Sequence, residues 1–431
     1  MITGIRINKG KELTKTKRLG FFNKPKFVYI PLISGGDRNI TTVVKKGDYI
    51  HKGSMVAKRK GKFKIPIYSS VSGTVIGFDE KYCSDGELVK CVVIENDFKE
   101  RIERHHFVRD KINDYTKDEF INILKDCGII GEGGAGFPTF AKYNTDQKIN
   151  TLIVNAVECD SYITSDIVML KEKTEEILET MDAIMEINGI KEGFLAFTKN
   201  NKLIKKINNY IGTYPRIKIV VVPDIYPAGW ERYLVKYIKN ITYNTIPLEK
   251  GIVINNIATI YSIYEALKYN KPLIERIVTF TGDMLKQPKN IHLKIGSNVK
   301  DVIESIEGYK RNKNVIMVAG GAMMGKSVPS DELVISPDLN CVLVLKEKEE
   351  QVLTCLRCGK CVEKCPSKLS PVLIKDNLNN KEKLKQLCPD KCVECGLCSY
   401  ICPSKINIRE FVKKAKEAIR EGEWLGERVS N

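Results

Sequence analysis

Eight cysteines near the end of the 431-residue chain constrain its fold more than any other feature. They form two copies of the pattern C-x2-C-x2-C-x3-C-P, at residues 355–366 and 392–403. The two-residue spacers let a tight loop direct three thiolates at one iron–sulfur cubane, while the cysteine before the proline points at the other cubane. The pattern therefore predicts two [4Fe–4S] clusters in one small unit.

The exchange of the fourth cysteine divides the eight predicted ligands into two sets. We expect one cluster on Cys355, Cys358, Cys361 and Cys402, and the other on Cys392, Cys395, Cys398 and Cys365. Such an exchange brings the two clusters close together and predicts fast one-electron transfer between them. Zinc knuckles and a disulfide framework are the alternatives. Zinc sites usually separate two cysteine pairs by a longer loop, and disulfide frameworks are typical of small secreted domains.

Length, composition and charge indicate a multidomain protein of the cytoplasm. The chain is longer than a single domain with one hydrophobic core usually is. Its 43% hydrophobic and 29% charged residues are ordinary for a globular protein. No signal peptide is recognisable, and no apolar run approaches the roughly 18 residues of a membrane span. The formal net charge of +17 comes from lysines spread along the whole chain. That spread disfavours nucleic acid and favours an acidic redox partner or an anionic membrane surface.

The pattern of apolar residues divides the chain into successive units. Short β-like runs with glycine turns over residues 26–76 predict a small β module similar to the barrel-sandwich hybrid of carrier domains. The acidic or methionine context of a carrier lysine is missing around Lys58 and Lys60, so a structural module is favoured. Alternating strand-like and helix-like segments follow, which predict a mostly parallel sheet with helices on both faces. The predicted strands are 151–157, 193–198, 218–222 and 252–254, and the predicted helices are 166–187, 230–239 and 259–269.

Shorter elements complete the chain. Residues 277–345 predict a small α+β unit, and the cysteine loops follow with a helical link over 371–387 and a closing helix over 408–419.

A loop with five glycines between Gly128 and Gly136 is the second candidate site. Its backbone N–H groups are exposed with little side-chain bulk, so it can wrap a phosphate or a flat ring. It is neither the G-x-G-x-x-G fingerprint nor a P-loop, and a plain tight turn is the alternative. Cluster proteins fed by a two-electron donor need a converter to single electrons, and flavin is the usual one.

Five segments give the chain a resemblance to a known family. They are Gly-Gly-Ala-Gly-Phe-Pro-Thr at 133–139, Asn-Ala-Val-Glu-Cys-Asp-Ser-Tyr-Ile-Thr at 155–164, Tyr-Pro-Ala-Gly-Trp-Glu at 226–231, Asn-Ile-Ala-Thr at 256–259 and Gly-Gly-Ala-Met-Met-Gly at 320–325. The first resembles the flavin loop of the NADH-binding flavoprotein subunit of respiratory complex I. Together they resemble the C subunit of the Rnf electron-transport complex and its relatives, which include the electron-transfer protein associated with proline reductase in anaerobes.

The resemblance implies a multidomain α/β plus α+β fold with four domains. These are a barrel-sandwich hybrid (1–105), a Rossmann-like FMN/NADH-binding domain of the complex I type (106–270), a β-grasp module of the SLBB type (271–345) and a dicluster ferredoxin domain (346–431).

The resemblance also implies binding roles for individual residues. FMN would be held by Gly133, Gly134, Gly136, Lys142, Asn155, Asn256 and Thr259, and NADH by Glu158, Asp160, Tyr226 and Glu231. Backbone N–H groups and a lysine can neutralise a phosphate, and carboxylates can accept ribose hydroxyl groups. Taken alone, each carboxylate is more often a solvated surface group than a ligand. Ser161 and Trp230 stand where the family has Pro and Gly, and a Trp there would narrow the dinucleotide cleft.

The function implied is an NADH-dependent electron-transfer oxidoreductase component with no residue acting as acid, base or nucleophile. Electrons would pass from NADH through FMN and two [4Fe–4S] clusters to a protein acceptor. The acceptor would be a proline reductase-type enzyme or the membrane subunits of an Rnf complex, which would hold the chain at the cytoplasmic face of the membrane. A cluster-only relay or docking subunit with a vestigial flavin and NADH site is the alternative.

Overall fold

The computed structural model describes residues 4–7, 10–61, 63–102, 108–310, 314–348 and 351–421. A short 3-10 helix, Lys11–Leu13, and strand β1, Gly20–Phe22, precede the first compact unit. Throughout these ranges no helix is long and apolar enough to cross a membrane.

The first unit consists of two small antiparallel sheets. Its strands are β2 (Phe27–Pro31), β3 (Ile40–Thr42), β4 (Tyr49–Ile50), β5 (Met55–Arg59), β6 (Pro66–Tyr68), β7 (Gly73–Tyr82) and β8 (Leu88–Asn96). One sheet has the order β2-β8-β7-β4 and the other β3-β5-β6. Val28 and Ile30 alternate with outward residues along β2 and bury their side chains with Val56, Val75 and Ile94. The predicted module of short strands joined by glycine turns is therefore confirmed.

The second unit is built on a parallel sheet with the strand order β11-β10-β9-β12. Its elements are α1 (Lys117–Asp126), α2 (Phe140–Tyr143), β9 (Thr151–Ala156), α3 (Ser165–Glu172), α4 (Thr174–Ile187), β10 (Glu192–Thr198), α5 (Asn201–Asn208), β11 (Ile217–Val222), α6 (Glu231–Lys239), β12 (Ile252–Asn256) and α7 (Ile257–Tyr269). Short 3-10 turns lie at Ile211–Thr213 and Pro247–Lys250.

Both faces of this sheet are covered by helices, as the alternation predicts. Leu152 and Val154 of β9 belong to the core formed with α1, α4 and α7, whereas Ile153 packs with Val235 of α6 on the opposite face. A strand buried on both sides reads as a continuous apolar run, which is how β9 appears in the sequence.

Two details of this unit differ from the prediction. The single helix expected over 166–187 is wrong, because the backbone leaves helical geometry at Lys173 and continues as α4. No Gly or Pro marks the break; both helices pack on α7, and α3 also contacts strand β13 (Glu275–Thr281) of the next unit. Helix α5 was not predicted, since only Leu203 and Ile207 of its residues are buried.

The third unit is a six-stranded sheet backed by one helix. After β13 come β14 (Lys289–Lys294), α8 (Val299–Ser305), β15 (Val315–Ala319), β16 (Lys326–Val328) and β17 (Cys341–Lys346), and the strand order is β1-β14-β13-β17-β15-β16. Val299, Val302 and Ile303 of α8 are buried in its core. Strand β1 pairs in parallel with β14, Gly20 opposite Ile291, so the leading segment completes a sheet of the third unit.

The last unit carries the cysteine loops between short helices. These are α9 (Lys360–Glu363), α10 (Pro371–Asp376), α11 (Lys381–Leu387), α12 (Leu397–Tyr400) and α13 (Ile408–Glu421). The helical link expected over 371–387 is two helices rather than one, because Asn380 caps the N-terminus of α11 through its side chain. The predicted domain limit at 105/106 lies outside the described residues, as do residues 422–431.

A largely buried ionic network joins the first three units. Glu275 of β13 lies 2.8 Å from Lys271, 3.2 Å from Lys52 and 3.5 Å from Lys294. Glu100 of the first unit lies 2.8 Å from Lys52 and 2.9 Å from Lys294. Opposite charges thus alternate across the boundary between the units, which fixes their relative positions.

Candidate nucleotide-binding and iron–sulfur sites

The eight cysteines of the repeated pattern line two separate cavities. The outer cysteine set comprises Cys355, Cys358, Cys361 and Cys402, and the inner cysteine set comprises Cys365, Cys392, Cys395 and Cys398. Each set takes three thiols from one copy of the pattern and the fourth from the other, which is the division that the spacing predicts. Within the described ranges, no three His, Cys, Asp or Glu side chains are grouped to hold a single metal ion. The thiols surround a void, an arrangement that suits a multi-atom cluster.

The two cysteine loops turn in the same way. Arg357 and Glu394, each just before the second cysteine of its copy, have φ angles of 54° and 56°. Gly359 and Gly396, each just after it, have φ angles of 73° and 77°. These left-handed conformations let the loop curl around its cavity, and glycine adopts them without a steric penalty.

Burial makes the inner thiols poor acids by themselves. It raises the pKa of the Cys395 thiol to about 11 and that of Cys398 to about 12. Iron binds the thiolate, so the positive charge of the metal has to offset this desolvation. Without iron these thiols would remain protonated near neutral pH.

The glycine loop closes on itself between α1 and α2. The N–H of Gly131 donates to the carbonyl of Phe137 at 2.8 Å, and the N–H of Gly136 donates to the carbonyl of Gly131 at 3.0 Å. At the tip, Gly134 has a φ angle of 101°, and a Cβ there would meet no atom within 4 Å. The tip is thus open to solvent and free of side chains, which fits a loop that cradles a phosphate or a ring.

The first unit holds this loop from one side. A Cβ on Gly136 would lie 2.5 Å from the Cα of Gly35, and a Cβ on Gly35 would lie 2.2 Å from the carbonyl oxygen of Gly136. The ring of Phe63 meets that of Phe137 edge-on, with centroids 5.5 Å apart. The loop's position therefore depends on a backbone contact between units that only two glycines allow.

The carboxyl ends of β9 and β12 meet the loop from the other side. The two strands are neighbours and pair Asn155 with Asn256. The side-chain oxygen of Asn256 accepts the N–H of Ala258 at 2.8 Å and so caps α7. A Cβ on Gly133 would lie 3.2 Å from the Cβ of Asn256. Three predicted flavin-site residues, Gly133, Asn155 and Asn256, are thus brought to one edge of the sheet, where open parallel sheets bind ligands.

Buried carboxylates lie next to this edge. Glu158 accepts the N–H groups of Asp166 and Ile167 at 2.7 and 3.2 Å, which caps the N-terminus of α3. Asp166 in turn accepts the side-chain amide of Asn256 at 2.6 Å. Burial and the neighbouring Asp166 raise the pKa of Glu158 to about 7, and burial raises that of Asp166 to about 6. This pair can take up or release a proton near neutral pH.

Glu132 anchors the glycine loop to two units. Its N–H donates to the hydroxyl of Thr259 at 3.0 Å, and its carboxylate accepts the hydroxyl of Ser262 on α7. Its carbonyl accepts Nη2 of the buried Arg276, on β13, at 3.3 Å. Burial raises the pKa of Glu132 to about 7, although Arg276 opposes the shift.

Lys142 and Glu231 lie apart from the loop tip. Nζ of Lys142 donates to the carbonyl of Ile254 at 2.6 Å and to the side chain of Asn255 at 3.3 Å. Burial lowers the pKa of Lys142, and Glu231 acts against the shift. Glu231 is exposed in the first turn of α6. The lysine is therefore hydrogen-bonded to the end of β12.

Asp160 and Tyr226 lie between units. The carboxylate of Asp160 accepts the N–H of Met323 in the third unit at 3.2 Å. The hydroxyl of Tyr226 donates to the carbonyl of Cys395 at 2.6 Å, and the residue is 1% exposed. Trp230 is half-buried and packs in the same cluster as Tyr226. Asp160 and Tyr226, which are predicted to bind NADH, thus also connect the parallel-sheet unit to the third unit and to the inner cysteine loop.

Sequence reasoning missed three residues of the site: Glu132, Asp166 and Arg276. Asp166 had a recognisable signal, because an acidic residue in the first turn of a helix is typical of a helix start. Arg276 had a weaker signal, since it lies beside Glu275 at the start of a strand whose remaining residues are apolar or Thr. Nothing local marked Glu132 as buried, since it lies among glycines in a loop.

Three stretches of the chain match known families. Residues 1–99 match the RnfC barrel sandwich hybrid domain, residues 124–265 the Nuo51 FMN-binding domain and residues 354–406 the 4Fe-4S dicluster domain. These matches confirm the predicted FMN and [4Fe–4S] cofactors at the level of domains.

Curated relatives resemble the chain over most of its length. The C subunit of the Na(+)-translocating ferredoxin:NAD(+) oxidoreductase complex of Acetobacterium woodii is 31% identical over 84% of this chain and 84% of its own. The C subunit of the proton-translocating ferredoxin:NAD(+) oxidoreductase complex of Clostridium ljungdahlii is 29% identical over 86% of this chain and 82% of its own. The C subunit of the ion-translocating oxidoreductase complex of Rhodobacter capsulatus is 30% identical over 85% of this chain and 73% of its own.

A solved structure shares the fold. One chain of the NAD+-reducing [NiFe]-hydrogenase in the air-oxidized state superposes with a TM-score of 0.51 and 16% identity, over 74% of this chain and 68% of that chain.

Proposed function

The chain belongs to the family of C subunits of the ion-translocating ferredoxin:NAD(+) oxidoreductase (Rnf) complexes, and on that premise we propose that it carries electrons between NADH and a protein acceptor. NADH is oxidised to NAD+ with release of two electrons and one proton, and the electrons leave one at a time through the two [4Fe–4S] clusters. FMN supplies the conversion between a two-electron donor and one-electron centres.

The observation that carries this proposal is the proximity of two kinds of site. An open glycine tip lies at the carboxyl edge of a parallel sheet, and Tyr226 links the same unit to the loop of the inner cysteine set. An electron carrier needs its nucleotide-binding sheet edge close to a cluster-binding loop. A storage or scaffold protein has no such need.

At the flavin site, the proposed contacts follow from the geometry of the loop. Backbone N–H groups of Gly133, Gly134 and Gly136 would bind phosphate or ring oxygens, and Asn155 and Asn256 would donate or accept at the sheet edge. Thr259 fixes the loop through Glu132. Glu158 and Asp166 would hold the proton that accompanies the oxidation of NADH, since the pKa values of both carboxyl groups lie near neutrality.

For NADH we propose the side of the sheet edge that carries Glu158, Asp160, Tyr226 and Glu231. Glu231 is exposed, so its carboxylate is available to a ribose hydroxyl. The eight cysteines of the outer and inner sets are proposed as cluster ligands, and Lys142 as a phosphate partner after release from β12.

The proposed domains are the barrel-sandwich hybrid at 1–105, the FMN/NADH-binding domain at 106–270, an SLBB-type β-grasp module at 271–345 and the dicluster domain at 346–431. The proposed partners are the other subunits of an Rnf-type complex, which would hold the chain at the membrane periphery. A proline reductase-type enzyme is the alternative acceptor.

Anaerobic purification tests the proposal. We expect iron and sulfide for two clusters together with releasable FMN, and bleaching of the flavin absorbance by NADH but not by buffer. An artificial acceptor added to the same sample should then sustain NADH oxidation. A colourless, iron-free protein would refute the proposal.

One observation favours a cluster-only relay. Asn256, Asp166 and Glu158 hydrogen-bond to one another, so these groups are already paired without a cofactor. Clusters without releasable FMN, and no oxidation of NADH with an artificial acceptor, would identify that function.

A further inference from the structure

We propose that the inner cysteine set exchanges electrons with the nucleotide-binding unit through residues 226–229, and that the outer cysteine set delivers them to the acceptor protein. The inference rests on the proposed function and adds the order and direction of the two clusters. The two copies of the cysteine pattern have the same spacing, so the order has to come from what surrounds each copy.

Residues 226–229 connect the sheet edge to the inner loop directly. At one end, the side-chain amide of Asn155 donates to the carbonyl of Gly229 at 2.8 Å. At the other end, the hydroxyl of Tyr226 donates to the carbonyl of Cys395 at 2.6 Å. Tyr226, Ala228 and Cys395 are buried in one hydrophobic cluster. Four residues therefore lead from a predicted flavin-site side chain to the backbone of a predicted cluster ligand.

A second contact clamps the inner loop against the third unit. A Cβ on Gly396 would lie 2.6 Å from the carbonyl oxygen of Met323. That carbonyl also accepts Nη1 of Arg409 at 3.0 Å, while the N–H of Met323 donates to Asp160 at 3.2 Å. Asp160 follows β9 by four residues, so this contact also leads back to the nucleotide edge.

The outer loop has the opposite surroundings. A Cβ on Gly359, the counterpart of Gly396, would meet no atom within 4 Å. Cys358 is exposed, whereas its counterpart Cys395 is 7% exposed. Leu356, which lines the outer cavity, is 66% exposed. The outer set thus lies where a partner protein can approach it.

The electron balance is simple. In each step one electron leaves the nucleotide site for the inner cluster, passes to the outer cluster and then to the acceptor, so the reduction of each centre is matched by the oxidation of the one before it. The single proton from NADH does not follow the electrons: Glu158 and Asp166 would hold it before it passes to solvent.

A matched pair of glycine variants tests the order. Gly359→Ala and Gly396→Ala place the same side chain on the same left-handed backbone, so both carry the same local strain. Only the second meets Met323. After anaerobic reconstitution, dithionite should develop the full EPR intensity of both clusters in each variant. On rapid mixing with NADH, the development of the cluster signals should slow much more in Gly396→Ala than in Gly359→Ala. Equal slowing of the two variants, or slowing of Gly359→Ala alone, would overturn the order.

Differential labelling of the unmodified protein provides a measurement that does not depend on folding of a variant. Limited treatment with ferricyanide and a chelator, followed by iodoacetamide and peptide mass spectrometry, should label Cys355, Cys358 and Cys361 before any cysteine of the inner set. Earlier labelling of Cys392, Cys395 and Cys398 would overturn the proposal. If NADH does not bleach the flavin, the proposed function falls, and the labelling result still decides which cluster is exposed.

Discussion

Replacement of Glu275 by Gln should be the most destabilising single change in the ionic network. The carboxylate is the central anion between Lys271, Lys52 and Lys294, and the Lys294 side chain is only 2% exposed. Removal of one partner of a buried ion pair costs about 3–5 kcal/mol. Lys52 and Lys271 are each 17% exposed and keep a second carboxylate, so the lower end of that range, about 3 kcal/mol, applies. For a cooperative block of about 150–250 residues, such as the first and third units melting together, that loss lowers the melting temperature by roughly 6–12 °C.

Thermal unfolding followed by circular dichroism at pH 7, with the cofactors bound, measures this effect. Glu100→Gln is the matched control, because Glu100 contacts two of the same lysines but is 40% exposed. A partly exposed pair contributes about 1 kcal/mol or less, so the control should melt close to the wild type. A Glu275→Gln protein that melts like the wild type, or a larger loss from Glu100→Gln, would show that the network does not hold the units together.

The pH dependence of this difference has a definite sign. Burial acts to raise the pKa of Glu275, but Lys271, Lys52 and Lys294 outweigh it and hold the pKa well below its usual range. The stability that this carboxylate contributes is complete above its unfolded pKa of about 4.3 and is lost as the pH falls through the folded value. The wild type should therefore keep a constant advantage over Glu275→Gln from neutral pH down to about 5, and lose it in stronger acid.

Three further changes have definite expected outcomes. Cys361→Ala should lose one cluster and weaken the other, as measured by iron content and EPR. An unchanged iron content would show that Cys361 is not a cluster ligand. Burial raises the folded pKa of Glu132 to about 7, so its stabilising contribution in the wild type is lost as the pH rises through that value. The melting temperature of Glu132→Gln should therefore fall less between pH 5 and 8 than that of the wild type. Gly136→Ala should weaken FMN binding roughly tenfold or more, since a left-handed alanine costs about 1–2 kcal/mol and its Cβ meets Gly35. Flavin fluorescence during titration of the apoprotein measures that affinity, and an unchanged value would show that the contact does not position the loop.

Features with a local physical cause could be predicted from the sequence. The cysteine spacing predicted which thiols share a cavity, because a two-residue spacer fixes how a short loop can fold back. The strands of the parallel sheet were predicted because burial on both faces requires continuous apolar runs, as in β9. The family resemblance implied that Asn155 and Asn256 serve one flavin site, and the structure pairs them at the carboxyl ends of neighbouring strands.

Features that depend on contacts between units could not be predicted. The hydroxyl of Tyr226 finds the carbonyl of Cys395 across 169 positions of sequence, and no pattern around either residue encodes that contact. The break at Lys173 has no Gly or Pro to mark it, and α3 contacts β13 of the next unit in addition to α7. The proximity of Gly35 to Gly136 is likewise invisible in the sequence, where each glycine is compatible with an ordinary turn.

The pairing of β1 with β14 has a consequence for how the protein is made. During synthesis the first strand leaves the ribosome long before its partner exists, so it stays unpaired while the first two units emerge and fold. A fragment cut out at the apparent limits of the third unit would expose the free backbone of β14 to other chains, which favours aggregation. A recombinant version of that unit should therefore be supplied with residues 20–22, fused or added as a separate peptide.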